Sequence, residues 1–207
     1  AGSCFRKQYY NVNNYERNPL DEKSLRLFRL GTIVHADIAE AFETYREDIE
    51  SRGLKLFIEH KVILEDINVV GHLDVGIYDE KEGLVYVTDV KTAHSYKWKK
   101  MFGRTPDTNP SVNYYLQVAT YGLGLCKEVE EEPENIEISL TWYKKDDSSI
   151  RAQKIGNEWL MESVKYWTTL NVALADDKVP EIGSDNTPVY GWECKYCPYL
   201  NLHCKGV

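Results

Sequence analysis

Two aspartates, Asp74 and Asp89, stand on either side of the turn-forming run Glu80-Lys81-Glu82-Gly83. A hairpin whose turn is centred between Lys81 and Glu82 sets them directly opposite each other. Their Cβ atoms are then about 4.5–5.5 Å apart, close enough to share one divalent cation. Lys91 lies two positions beyond Asp89 and projects from the same face of its strand. Carboxylates this close repel unless a cation neutralises them or one takes up a proton. Oxygen ligands around a water-bearing site suit Mg2+ or Mn2+. The ordinary alternative is an exposed hairpin with surface charges, and a one-residue slip in register would separate the two acids.

Helical segments supply further polar groups. His35 shares a helix face with Gly31, Ile38 and Phe42. Read alone, it is a hydrogen-bonded, half-buried histidine. Read with the acids, it is an imidazole reaching the same cation, which moves the preference toward Mn2+. Gln117 and Tyr121 form an i, i+4 pair on one helix face. Glu59 reads as a surface acid, with an outer-shell role at the cation as the alternative.

The five cysteines are an odd number, which fits a reducing compartment better than a disulfide framework. Three of them, Cys194, Cys197 and Cys204, form a C-x2-C-x6-C run that suggests metal ligation. Cys126 reads as a small buried residue. No secretory signal is visible, and no apolar run approaches the roughly 20 residues of a membrane helix. The expectation is a soluble, cytoplasmic protein without membrane contact.

Periodicity predicts the elements that position these groups. Apolar residues at steps of three or four over residues 25–48 predict a helix with one buried stripe, formed by Leu27, Leu30, Val34, Ile38, Ala41 and Tyr45. Strand patterns follow at 56–66, 69–78 and 84–91, the last two forming the hairpin. Helices are predicted from about 111 to 127 and 158 to 177, with a strand at 136–143 and an edge strand at 149–154. Apolar residues at 43% and charged residues at 28% allow a sizeable core. The expectation is one α/β layered domain over residues 1–207 with a mixed, mostly antiparallel sheet.

Net charge is −8, from 25 basic and 33 acidic residues, which argues against a protein that coats nucleic acid by overall charge. A local exception is the stretch from Lys91 to Arg104, which carries Lys97, Lys99, Lys100 and Arg104 among His94, Tyr96, Trp98 and Phe102, with no acid. Basic groups interleaved with aromatic platforms suit single-stranded DNA. A solvated loop with aromatics tucked onto the core is the plain alternative.

Taken in order, these residues resemble the PD-(D/E)XK nuclease superfamily, specifically its RecB-like exonuclease branch. Gly31-Thr32-Ile33-Val34-His35 matches the helix histidine, and Gly71-His72-Leu73-Asp74 the Gly-x-x-Asp strand. Thr88-Asp89-Val90-Lys91-Thr92 matches Asp-x-Lys, and Gln117-Val118-Ala119-Thr120-Tyr121 the Gln-x-x-x-Tyr helix. Cys4, paired with the C-terminal cysteines, resembles the iron–sulfur members, among them the CRISPR-associated exonucleases and AddB-type nuclease domains. The resemblance implies a restriction-endonuclease-like sheet flanked by helices and a cation held by His35, Asp74, Asp89 and the Val90 carbonyl. It also implies catalytic roles for Lys91, Gln117 and Tyr121. Cys4, Cys194, Cys197 and Cys204 would hold a 4Fe-4S cluster in a region made of residues 1–30 and 185–207, with Zn2+ as the alternative. The implied activity is metal-dependent DNA exonuclease, acting on single strands, in a bacterial, archaeal or phage setting and alongside other nuclease-complex proteins. A CRISPR-adaptation-type DNA end trimmer and a cluster-stabilised DNA-binding module without catalysis are the competing readings.

Overall fold

Alternating apolar residues build the centre of the molecule. The computed structural model describes residues 4–104, 106, 112–182, 189 and 191–207. The N-terminal segment forms helices α1 (Phe5–Val12), α2 (Glu22–Thr44) and α3 (Arg46–Ser51). Strands β1 (Leu54–Leu64), β2 (Val69–Asp79) and β3 (Leu84–Ala93) follow as an antiparallel meander. Helices α4 (Ser95–Phe102) and α5 (Val112–Glu128) then cross over to β4 (Ile136–Lys144), which pairs parallel to β3. Strand β5 (Ile150–Ile155) closes the edge antiparallel to β4, and α6 (Glu158–Ala175) and α7 (Gly191–Lys195) complete the chain. The sheet order is β1-β2-β3-β4-β5, mixed and mostly antiparallel, as expected.

The core lies between this sheet and α5. Ile136, Ile138, Leu140 and Trp142 alternate along β4 and are buried with Val85 and Val87 of β3. Two glycines let α5 approach closely: a Cβ at Gly122 would meet Ile138 Cγ2 at 2.8 Å, and one at Gly124 would meet Val62 Cβ at 2.7 Å. A second cluster joins the ends of the chain. Phe5 stacks on Tyr166 of α6 at 4.6 Å between ring centroids, and the Tyr9 hydroxyl donates to Asp177 Oδ1 at 2.6 Å. Asn18 N–H donates to the Pro198 carbonyl at 2.8 Å, and the Tyr10 hydroxyl to the His203 carbonyl at 3.0 Å.

Element boundaries match the sequence reading to within a few residues, with three differences. The predicted 25–48 helix begins earlier, capped by Asp21, whose carboxylate accepts from Ser24 N–H, and breaks at Tyr45 into α2 and α3. Its stripe is buried only in part: Val34 is covered, while Leu27, Leu30 and Tyr45 face solvent. Most of the basic stretch after β3 forms a helix, α4, an element the sequence reading did not assign. Ser111 and parts of the 1–30 and 185–207 regions lie outside the described residues. Among the described residues, no helix is long and apolar enough to cross a membrane.

Candidate active site

The β2–β3 register pairs Val75 with Thr88 and Asp79 with Leu84, which places Asp74 and Asp89 at the next facing position, as the turn arithmetic requires. Both are buried. Asp74 is held from two sides: its Oδ2 accepts the Val90 N–H at 2.5 Å, and its Oδ1 lies 3.2 Å from His35 Nδ1. His35 reaches it from α2. That hydrogen bond raises the His35 pKa, against the opposing effect of burial. A proton there competes with a metal ion for the imidazole, so ligation by His35 weakens as pH falls.

Asp89 is 1% exposed, and burial pushes its pKa up to about 6 despite the Lys91 ammonium beside it. Asp89 Oδ2 forms an ion pair with Lys91 Nζ. The Lys91 ammonium also lies 5.0 Å over the Tyr114 ring.

Glu59 carries more than its sequence suggested. His35, Glu59 and Asp74 each offer a ligand atom, and the three atoms lie within 4.8 Å of one another. Glu59 sits opposite Asp74, between the paired positions Ile58–Val75 and His60–Leu73, with φ of 46° in the middle of β1. A left-handed residue inside a strand costs on the order of 1–3 kcal/mol and persists where surrounding contacts impose it. A lone acid in a strand pattern gives no sign of that backbone geometry. A histidine and converging carboxylates, with the buried Asp89 beside them, fit a hard divalent cation.

On α5, Gln117 Nε2 donates to the Tyr121 hydroxyl at 2.8 Å. Burial raises the Tyr121 pKa to about 12, so the phenol stays protonated at neutral pH. Gly71 makes room for it: a Cβ there would meet Tyr121 Cε1 at 2.6 Å. The glycine and tyrosine motifs are thus one steric unit. Gly71→Ala is expected to displace the ring and lower activity about 10-fold or more, because small misplacements of positioning groups are costly. Gly71→Ala combined with Tyr121→Ala is expected to show strong non-additivity in thermal stability, which a double-mutant cycle of melting temperatures measures.

The basic helix is less open than its sequence suggested. Trp98 and Phe102 of α4 pack against the core, and Arg151 lies over both rings. Lys97 lies over Tyr114 and Trp142, and Lys100 over the exposed ring of Tyr96. Lys99, Lys100 and Arg104 are exposed.

The four terminal cysteines surround one cavity together with Arg6, Lys7 and Tyr10. Cys4 caps α1, Cys194 lies on α7, and Cys204 Sγ accepts the Gly206 N–H at 3.4 Å and faces Arg6 Nη1 at 3.9 Å. No three of the described sulfur atoms approach within 4.8 Å of one another. Cys126 is apart from them, buried, with its thiol pKa pushed up to about 12 by burial.

The five-stranded mixed sheet flanked by helices defines a restriction-endonuclease-like α/β fold. Residues 29–202 match the family profile of the PD-(D/E)XK nuclease superfamily, and the chain belongs to that superfamily, whose nucleases use divalent metals. Two solved structures share the fold across nearly the whole chain. SSO0001 superposes with a TM-score of 0.50 at 16% identity, over 99% of this chain and 83% of its own. A Eubacterium rectale protein provisionally named an exonuclease superposes with a TM-score of 0.52 at 13% identity, over 99% and 84%. At these identities the likeness concerns fold alone. Comparison with curated proteins returns no significant match.

Proposed function

We propose that this chain is a Mg2+- or Mn2+-dependent deoxyribonuclease that removes nucleotides from the ends of single-stranded DNA. The observation that carries the reading is the convergence of His35, Glu59 and Asp74 beside the buried Asp89–Lys91 pair. His35, Asp74, Asp89 and the Val90 carbonyl, with Glu59 added, would hold the cation, which supplies Lewis-acid stabilisation of a phosphate oxygen and a more acidic water. Lys91 stabilises negative charge growing at phosphorus or orients the attacking water. Gln117 and the neutral Tyr121 phenol orient the nucleotide, and Lys97, Lys99, Lys100 and Arg104 draw the phosphate backbone in. The name of the Eubacterium rectale neighbour agrees with exonuclease action.

Cys4, Cys194, Cys197 and Cys204 hold a 4Fe-4S cluster in this reading. A single tetrahedral zinc, with Zn–S near 2.3 Å, needs its sulfurs about 3.8 Å from one another. Four cysteines suit either group, and the resemblance of Cys4 with the C-x2-C-x6-C run to iron–sulfur nucleases favours the cubane. Such a cluster joins both ends of the chain to the nuclease core and implies a reducing, cytoplasmic setting. Anaerobically purified protein is expected to be brown, with about four irons and four sulfides per chain.

Single strands labelled at the 5′ or 3′ end test the activity. Mn2+ or Mg2+ is expected to give stepwise loss of label, which chelation abolishes. The same cations are expected to raise the melting temperature, since ligands that bind only the folded state stabilise it. Binding of DNA without cleavage at any cation would instead leave a catalytically silent, cluster-stabilised module.

A further inference from the structure

The N-terminal half of α2 exposes large apolar side chains: Leu27 is 48% exposed, Phe28 60% and Ile33 54%. Packing against the domain does not explain them. Leu27 and Phe28 do not face open solvent on all sides, however. Leu27, Phe28 and Gly31 form one wall of an open cleft of about 710 Å3, and Thr92, Tyr114 and the half-buried Lys145 line it as well. His35 and Glu59 line the same cleft, so it is continuous with the candidate cation site.

Spacing along the helix gives the cleft a scale. Phe28 and His35 are seven residues apart, two turns and about 10 Å along the axis. That is the length of one to three nucleotides at about 3.4 Å or more per nucleotide. Between them the helix presents Gly31, where an added Cβ would meet nothing within 4 Å.

The charge pattern favours a polyanion. Residues 22–34 carry Lys23, Arg26 and Arg29 against Glu22 alone, while residues 35–44 carry Asp37, Glu40 and Glu43. In a chain of net charge −8, this basic and apolar segment stands out, although Arg26 pairs with Glu22, and it belongs to the helix that forms one wall of the cleft. A duplex keeps its bases stacked inside and offers little to an exposed phenyl ring. An unpaired strand offers a base face that stacks on aromatic groups regardless of sequence.

Resting on the nuclease reading above, we infer that this cleft is a docking site for an unstacked base one to three nucleotides from the scissile phosphate. Phe28 is the stacking surface, Leu27 flanks it, and Lys145 meets the backbone phosphate. The site confers preference for single strands without a preference for base identity, because an apolar face carries no donor–acceptor code.

Fluorescence anisotropy of a labelled single-stranded oligonucleotide, with Ca2+ replacing the catalytic cation, tests this. Phe28→Ala is expected to weaken binding about 5- to 100-fold, the range for loss of one base–aromatic stack. Phe28→Tyr is expected to restore it. Gly31→Leu, whose Cβ meets nothing within 4 Å and whose side chain occupies the cleft wall, is expected to weaken single-strand binding as well. Met161→Ala removes a side chain 62% exposed on α6 and is expected to change nothing.

Equal loss of affinity for a blunt duplex and for a single strand would overturn the inference. So would a fall in oligomer mass on Phe28→Ala, which would make this face a contact between copies of the chain. Wild-type protein that cleaves labelled strands, with Phe28→Ala and Gly31→Leu binding like wild type, would overturn the docking site alone. Wild-type protein that neither binds nor cleaves DNA would overturn the nuclease reading and the docking site together.

Discussion

Asp89→Asn is expected to abolish metal-dependent cleavage while making the metal-free protein more stable at neutral pH. The carboxylate is 1% exposed, and burial lifts its pKa to about 6. Because that value lies above the unfolded one, the folded state binds more protons between the two, and stability falls as pH rises through the window from about 4 to about 6. Above pH 6 the full cost is present, on the order of 2–3 kcal/mol. An amide of the same shape removes it. Part of the gain is offset because Lys91 loses its ion-pair partner. A net rise of a few degrees in melting temperature at pH 7.5 is therefore expected, shrinking toward zero near pH 4. Cleavage should drop about 1,000-fold or more, the scale of losing a group that organises transition-state charge. Thermal melts across pH on chelated protein, set beside rates in Mn2+, test both halves. Equal melting temperatures at every pH would contradict the electrostatic account.

Lys91→Met has the opposite sign for stability and the same sign for activity. It leaves Asp89 buried with no cation beside it, and breaking a buried pair in this way costs about 3–5 kcal/mol. The loss is expected to be largest at alkaline pH and to fade in acid, where Asp89 takes up a proton. Asp89→Asn in the same chain is expected to recover most of it, giving a strongly non-additive cycle. Activity should fall about 100- to 1,000-fold, since the ammonium is the positive charge paired with Asp89. Denaturant melts of the two single variants and the double variant measure the cycle. Additive effects would show that the two side chains do not sense each other.

Both predictions rest on a register that the sequence carried openly. A short turn between two apolar strands leaves few pairings, and the opposition of Asp74 and Asp89 follows from the turn position. The pairing of Gln117 with Tyr121 was legible for a similar reason, because helical spacing fixes which side chains meet. Glu59 was not. Its approach to His35 and Asp74 comes with a left-handed backbone, which no residue pattern announces. The exposure of Leu27 and Leu30 was also hidden. Periodicity reveals that a helix has an apolar face but does not say what covers it. Helix α4 was not assigned from the sequence, because its lysines mask a short run of core contacts from Trp98 and Phe102.

The joining of the two ends has a consequence for how such a unit travels between proteins. Residues near position 4 and near position 204 emerge side by side, held by Arg6 against Cys204 and by Asn18 against Pro198. A polypeptide that enters and leaves at the same spot can be spliced into a surface loop of a host without prising the host apart. Cys4, Cys194, Cys197 and Cys204 line one cavity at that same junction.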